Sequence, residues 1–180
     1  MTDSDVQAAI RAYAGARMYS AATTERWLRL EAGDGGALLQ LATDLRLGEN
    51  QLRDLWDWAE EIAARDGVPL HHVLAAEPIV ATRTPKLGRN DKLKALKAAL
   101  RRMRFPQLAA VEDRLAGLVR TMGLPRTIRI TLPEDLEGDH VRIEITATSQ
   151  TAWRAAAAAL LAAAESPACT ELFTLLGEAP

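Results

Sequence analysis

Through most of this 180-residue chain apolar residues recur every three or four positions, but between Thr127 and Ala147 they recur every second position. A period near 3.6 fits helices and a period of 2 fits half-buried strands. In T-I-R-I-T-L, residues 127–132, Ile128, Ile130 and Leu132 face one way and Arg129 and Thr131 the other. From His140 to Ala147, Val141, Ile143 and Ile145 alternate with Arg142, Glu144 and Thr146. P-E-D-L-E-G-D joins the two runs, which predicts an antiparallel pair. The expected fold is mainly α with a small β-hairpin (α+β): an N-terminal helical bundle with a helix-turn-helix-like pair, then a C-terminal α-β-β-α module. At 48% hydrophobic residues, the chain has enough apolar side chains for a core.

In the N-terminal third, helices are expected over Val6 to Met18 and after Thr23 or Thr24, either of which can cap the segment carrying Trp27, Leu28 and Leu30. The glycine-rich run Glu31 to Gly36 reads as a break. Leu38, Leu41, Leu45 and Leu47, then Leu52, Leu55, Trp56, Ala59 and Ile62, form two amphipathic helices around L-G-E-N, ending at Asp66-Gly67. Their spacing matches a helix-turn-helix, with Ala42 where the helices must approach and Arg46 where a turn glycine is usual. The second helix carries Glu49, Asp54, Asp57, Glu60 and Glu61 against Arg53 alone. Phosphates would repel it, so it reads as scaffold rather than as a reader of DNA. Trp56 and Trp58 are candidate packing or interface anchors.

Charge is distributed unevenly. Residues 1–82 sum to −6, residues 83–105 to +8 and residues 106–180 to −4, so a net charge of −2 conceals a local cationic source. The middle run contains a short lead-in and then a helix that Asn90 or Asp91 can cap. At ~100° per residue, Leu93, Leu96, Leu100 and Met103 form one stripe and Lys94, Lys97, Arg101 and Arg104 the adjoining one, with Lys92 and Arg102 completing the set. The apolar stripe is expected to dock on the protein and the basic one to face an anion, which can be phosphate, an acidic partner or the chain's own acidic part. Three regions follow: 1–80, an acidic helical domain; 81–105, a linker and the basic helix; and 106–180, the α-β-β-α domain.

No disulfide, metal, cofactor or catalytic site is expected. Cys169 is the single cysteine and has no activating neighbour in S-P-A-C-T-E. Adjacent His71 and His72 point apart on a helix, and His140 lacks a nucleophile context. G-D-G-G at 33–36 lacks the Lys and Ser/Thr of a phosphate loop, and Glu60-Glu61 and Glu134-Asp135 read as solvated carboxylates. No run approaches the ~18 apolar residues of a membrane span, and the start M-T-D-S-D-V-Q is acidic where a signal peptide is cationic. A cytoplasmic location away from membranes is the expectation.

The stretch from about 107 to 165 (helix, G-L-P-R-T-I-R-I, E-G-D-H-V-R-I-E-I, Ser149, helix) resembles the C-terminal dimerisation module of ParB-type partition proteins. The resemblance implies a homodimer that shares a sheet and a basic surface that contacts DNA without reading sequence. Lys94, Lys97, Arg101, Arg104, Arg129 and Arg142 would be its phosphate contacts. The hairpin's free edges, apart from any resemblance, also invite pairing with a second copy through Ile128, Ile130, Val141 and Ile143. The expected function is a non-catalytic, dimeric accessory that binds the backbone of DNA or RNA. The alternative is a protein-protein adaptor or assembly subunit whose basic helix docks on an acidic partner.

Overall fold

A computed structural model describes residues 2–84, 86–133 and 140–178. Pro85, most of the hairpin turn and the carboxylates Glu134 and Asp135 lie outside the described residues. The chain is mainly helical with one two-stranded antiparallel sheet, and it divides into two compact units, residues 1–105 and 106–180.

The first unit contains α1 (Asp3–Ala16), α2 (Ala21–Leu28), α3 (Ala32–Leu45), α4 (Glu49–Asp66), α5 (Leu70–Ala75), α6 (Glu77–Val80) and α7 (Arg89–Arg104). Their apolar faces meet in one core built on Trp27, Leu38, Leu41, Leu52, Leu55, Trp56 and Ile62, with Leu96 and Leu100 from α7 fully enclosed. The basic helix is therefore part of this unit. Leu93 and Met103 pack at the edge of the same core, so the apolar stripe docks as its spacing requires.

Three local expectations are corrected. Glu31 to Gly36 is not a break: α3 begins at Ala32 and its glycines lie in the first turns. A Cβ on Gly35 would sit 3.3 Å from Ile10 Cδ1 and 3.6 Å from Val6 Cγ1. The Trp27 indole N–H donates to the Gly35 carbonyl at 3.2 Å. Glycine is used here for the close approach of α1 rather than for a turn. Secondly, Ser20 caps α2, accepting from the Thr23 N–H at 3.2 Å. Thr23 lies within the helix and turns its hydroxyl to Glu49. Thirdly, Gly88 rather than Asn90 or Asp91 is the N-cap of α7, because Arg89 is already helical and held by α3. Asp91 remains in the first turn, where its charge suits the helix dipole.

The second unit contains α8 (Pro106–Thr121), β1 (Ile128–Thr131), β2 (Arg142–Ile145), α9 (Gln150–Ala164) and α10 (Pro167–Glu178). Its register pairs Ile128 with Ile145, Arg129 with Glu144, Ile130 with Ile143 and Thr131 with Arg142. All four isoleucines thus share one face and the polar residues the other. The core is small, with Leu115, Leu172 and Leu176 where α10 packs along α8, and an Arg114–Glu171 ion pair links the same helices. Between the hairpin's apolar face and α9 and α10 lies a cavity of about 230 Å3, walled by apolar atoms of Ile130, Val141, Ile143, Leu160, Leu172 and Phe173. Cys169 also reaches this cavity and is half-buried. Among the described residues no single helix is long and apolar enough to cross a membrane.

Candidate nucleic-acid interface

The surface in question is built by α4 and α7, which run side by side in the first unit. Three contacts give their register. Arg89 donates to Gln51 Oε1 at 3.3 Å, Lys97 meets Asp54 at 3.6 Å, and Arg104 meets Glu61 at 2.5 Å. The last two pairs are one heptad apart on each helix, so the helices point the same way and stay in step. Each also closes an end of the structure beside it. Arg89 at the start of α7 donates from Nε to the Leu45 carbonyl, 2.7 Å, at the C-terminus of α3. Arg65 at the end of α4 donates to the carbonyls of Met103 and Arg104, at 2.8 and 2.9 Å, where α7 ends. The final carbonyls of a helix lack intrahelical partners, and guanidinium donors satisfy them while complementing the negative dipole end.

The basic stripe is consequently not turned wholly outward. At ~100° per residue Lys97 and Arg104 lie on the edge of α7 nearest the apolar stripe, and α4 occupies that side. Arg104 also stands over the Trp58 ring, 5.9 Å from its centroid, which leaves Trp58 half-buried. Lys94 and Arg101 lie farther round, Arg102 farther still, and Lys92 on the opposite flank; Lys94 and Arg102 are exposed, while Lys92 and Arg101 are partly so. Arg101 and Arg102 engage other groups of the protein as well.

The acids of α4 prove to be structural. Glu49 accepts from the Ser20 hydroxyl and the Thr23 hydroxyl, both at 2.5 Å, and from the Ser20 N–H at 3.1 Å. Those hydroxyl bonds, the Ser20 N–H bond and the nearby Arg53 charge hold its carboxyl below the usual range. Asp57 and Glu60 share Arg26 at 2.7 and 2.6 Å, and the Trp56 indole N–H also donates to Glu60 at 2.6 Å. Arg26 lies flat on Trp56, 4.0 Å from the ring. Trp56 itself is 0% exposed and presents no surface to a partner, which corrects its candidacy as an interface anchor. Every acid that makes α4 look hostile to phosphate therefore has a partner within the first unit.

At the head of the helix pair the balance differs. Arg46 sits in the left-handed region, φ 47°, at the three-residue turn between α3 and α4, with its side chain exposed. Asn50 and Arg53, one turn apart on α4, are exposed too. Arg89 was not foreseen, nor was its contact with Arg46, because both depend on tertiary contacts spanning more than 40 positions.

The hairpin residues Arg129 and Arg142 belong to the second unit. Both are exposed, on the polar face of the sheet, with Arg129 across from Glu144 and Arg142 across from Thr131. Of the apolar face, Ile128 is buried, Ile130 and Val141 are half-buried, and Ile143 is 45% exposed. In α5 the His71 N–H donates to Asp34 Oδ1 at 2.8 Å, the ring Nδ1 lies 2.6 Å from the same oxygen, and the ring packs edge-on against His72 at 4.6 Å. That contact ties α5 to the start of α3. No protein-family model matches this chain, and neither a curated protein nor a solved structure matches it.

Proposed function

We propose that the chain is a non-catalytic accessory protein that binds the phosphodiester backbone of nucleic acid without reading base sequence, and that it acts as a dimer. The observation that carries this reading is the docking of α7 by Leu93, Leu96, Leu100 and Met103, which holds Lys94 at the exposed surface with Arg101 beside it, and Lys92 on the opposite flank of the same helix. Cations held on a helix lose little freedom on meeting phosphates, and each contact releases condensed counterions from the nucleic acid. Arg46 and Arg53 extend the cationic surface at the head of α4. Lys97 and Arg104 each hold a carboxylate of α4, which competes with phosphate for them. Arg129 and Arg142 form a second, weaker cationic patch on the hairpin.

A second reading has its own support: α7 already recognises a carboxylate-bearing helix in heptad register, and an acidic helix of another protein could use the same pattern. Binding to a duplex of arbitrary sequence separates the two. Full-length protein should retain duplex DNA or RNA at low salt, with affinity falling steeply as salt rises. Lys92→Glu with Lys94→Glu should weaken retention for every sequence tested. Absence of retention at micromolar protein and low salt would sink the nucleic-acid reading and leave the adaptor.

A further inference from the structure

β2 is the open edge of the sheet. All four of its residues are exposed, whereas Ile128 of β1 is buried and donates its N–H to the Pro125 carbonyl at 2.9 Å, outside the ladder. The Thr146 N–H donates to the Thr127 carbonyl at 2.8 Å. Alternation along an antiparallel ladder then makes Glu144–Arg129 and Arg142–Thr131 the bonded pairs, and it turns the backbone groups of Ile143 and Ile145 toward the free edge. The second unit leaves Ile143 and Ile145 of this strand 45% and 41% exposed.

We propose that a second copy of this chain pairs antiparallel along β2, with the two-fold axis at Ile143. The proposal rests on the dimer reading above and names its surface. Charge selects this register. With the axis at Ile143, Arg142 of each copy lies across from Glu144 of the other, at the closer, non-hydrogen-bonded kind of site where Cα atoms are about 4.5 Å apart. An axis at Glu144 sets two carboxylates face to face, and an axis at Arg142 sets two guanidinium groups face to face. An axis at Ile145 brings Glu144 only to Thr146. Pairing at Ile143 also keeps Val141, Ile143 and Ile145 on one apolar face. The polar face then carries rows of Arg129, Glu144, the partner's Arg142 and the partner's Thr131. With four arginines against two glutamates it is net cationic, which suits the phosphate contacts proposed for the hairpin.

The test uses full-length protein with Cys169→Ser, so that an introduced cysteine is the only thiol. A residue on the axis faces itself at about 5.5 Å between Cα atoms, within disulfide range. Ile143→Cys should therefore give a covalent dimer on mild oxidation, and Arg129→Cys on the inner strand should not. Arg142→Glu alone and Glu144→Arg alone should each raise the dimer Kd about tenfold or more, since both reciprocal pairs become repulsive. Mixed in equal amounts, the two variants should form a heterodimer, because both pairs are then attractive. Recovery on mixing also shows that each variant is folded. A wild-type protein that sediments as a monomer at tens of micromolar overturns the dimer and this edge together. A stable dimer in which Ile143→Cys fails to cross-link and the charge variants show no mutual preference overturns the edge alone.

Discussion

Replacing Asp54 by Asn and Glu61 by Gln removes the two carboxylates that hold Lys97 and Arg104 while leaving every cation of α7 in place. The pairs are half-exposed, with Lys97 and Asp54 at 39% and 57% and Arg104 and Glu61 at 30% and 51%. Ion pairs of that exposure stabilise by about 0.2–1 kcal/mol each, so the double variant should lose about 0.4–2 kcal/mol and melt several degrees lower. Binding should move the other way. Each cation released to a phosphate steepens the slope of log K against log salt by about 0.9, or about 1.8 for two. With intrinsic affinity at 1 M salt unchanged, two added contacts raise affinity at 0.1 M by up to about 60-fold. Titration of a fluorescent duplex at four salt concentrations reads both slope and affinity, and a thermal melt reads the cost. An unchanged slope, or weaker binding, would refute the argument that α4 competes with phosphate for these side chains.

Three further outcomes follow from particular contacts. Gly35→Val should destabilise the first unit by about 1–3 kcal/mol in chemical denaturation, because the β-carbon alone already meets Ile10 at 3.3 Å and the added methyls have nowhere to go. Arg46→Gly should raise stability by up to about 1 kcal/mol in the same assay, since φ is 47° there and the hydrogen bonds through its N–H and carbonyl are backbone ones that glycine keeps; in the binding assay the same change should weaken duplex retention. Glu49 has a folded-state pKa held below its ordinary 4.5 by the hydroxyls of Ser20 and Thr23. Its contribution is therefore present above that value and lost as pH falls through the depressed one, and Glu49→Gln should flatten the acid limb of Tm against pH below about 4.5.

Periodicity was a good guide wherever one face of an element is buried. Leu52, Leu55, Trp56, Ala59 and Ile62 are all buried on α4 at the spacing that identifies them, and the isoleucines of β1 and β2 share a face because their alternation demands it. Reading failed where a residue's role is set by something distant in sequence. Gly35 looks like a turn residue until Ile10 and Val6 are packed against it. The cap of α7 moves to Gly88 because Arg89 is drawn to α3. The charges of α4 and α7 were each legible, but net charge is silent about who pairs with whom. Asp54 and Lys97 are 43 positions apart and Glu61 and Arg104 the same, and only the shared core of the two helices brings those numbers into register. Conversely, the exposure of Lys94 on the expected basic stripe was legible because it follows from helical angle alone.

The capping of α7 by Arg65 bears on how the molecule can be divided. A fragment beginning near residue 83 looks natural from charge, since it gathers the cations and sheds the acids. It would also tear Leu96 and Leu100 from the core that encloses them and leave a sticky apolar strip along the helix to be tested. Any tighter grip such a fragment had on an anion would be hard to tell from aggregation. A cut after Phe105 respects the grain of the structure: it leaves the last helix of the first unit seated on its core, with the carbonyls of Met103 and Arg104 already satisfied by a residue 38 and 39 positions upstream.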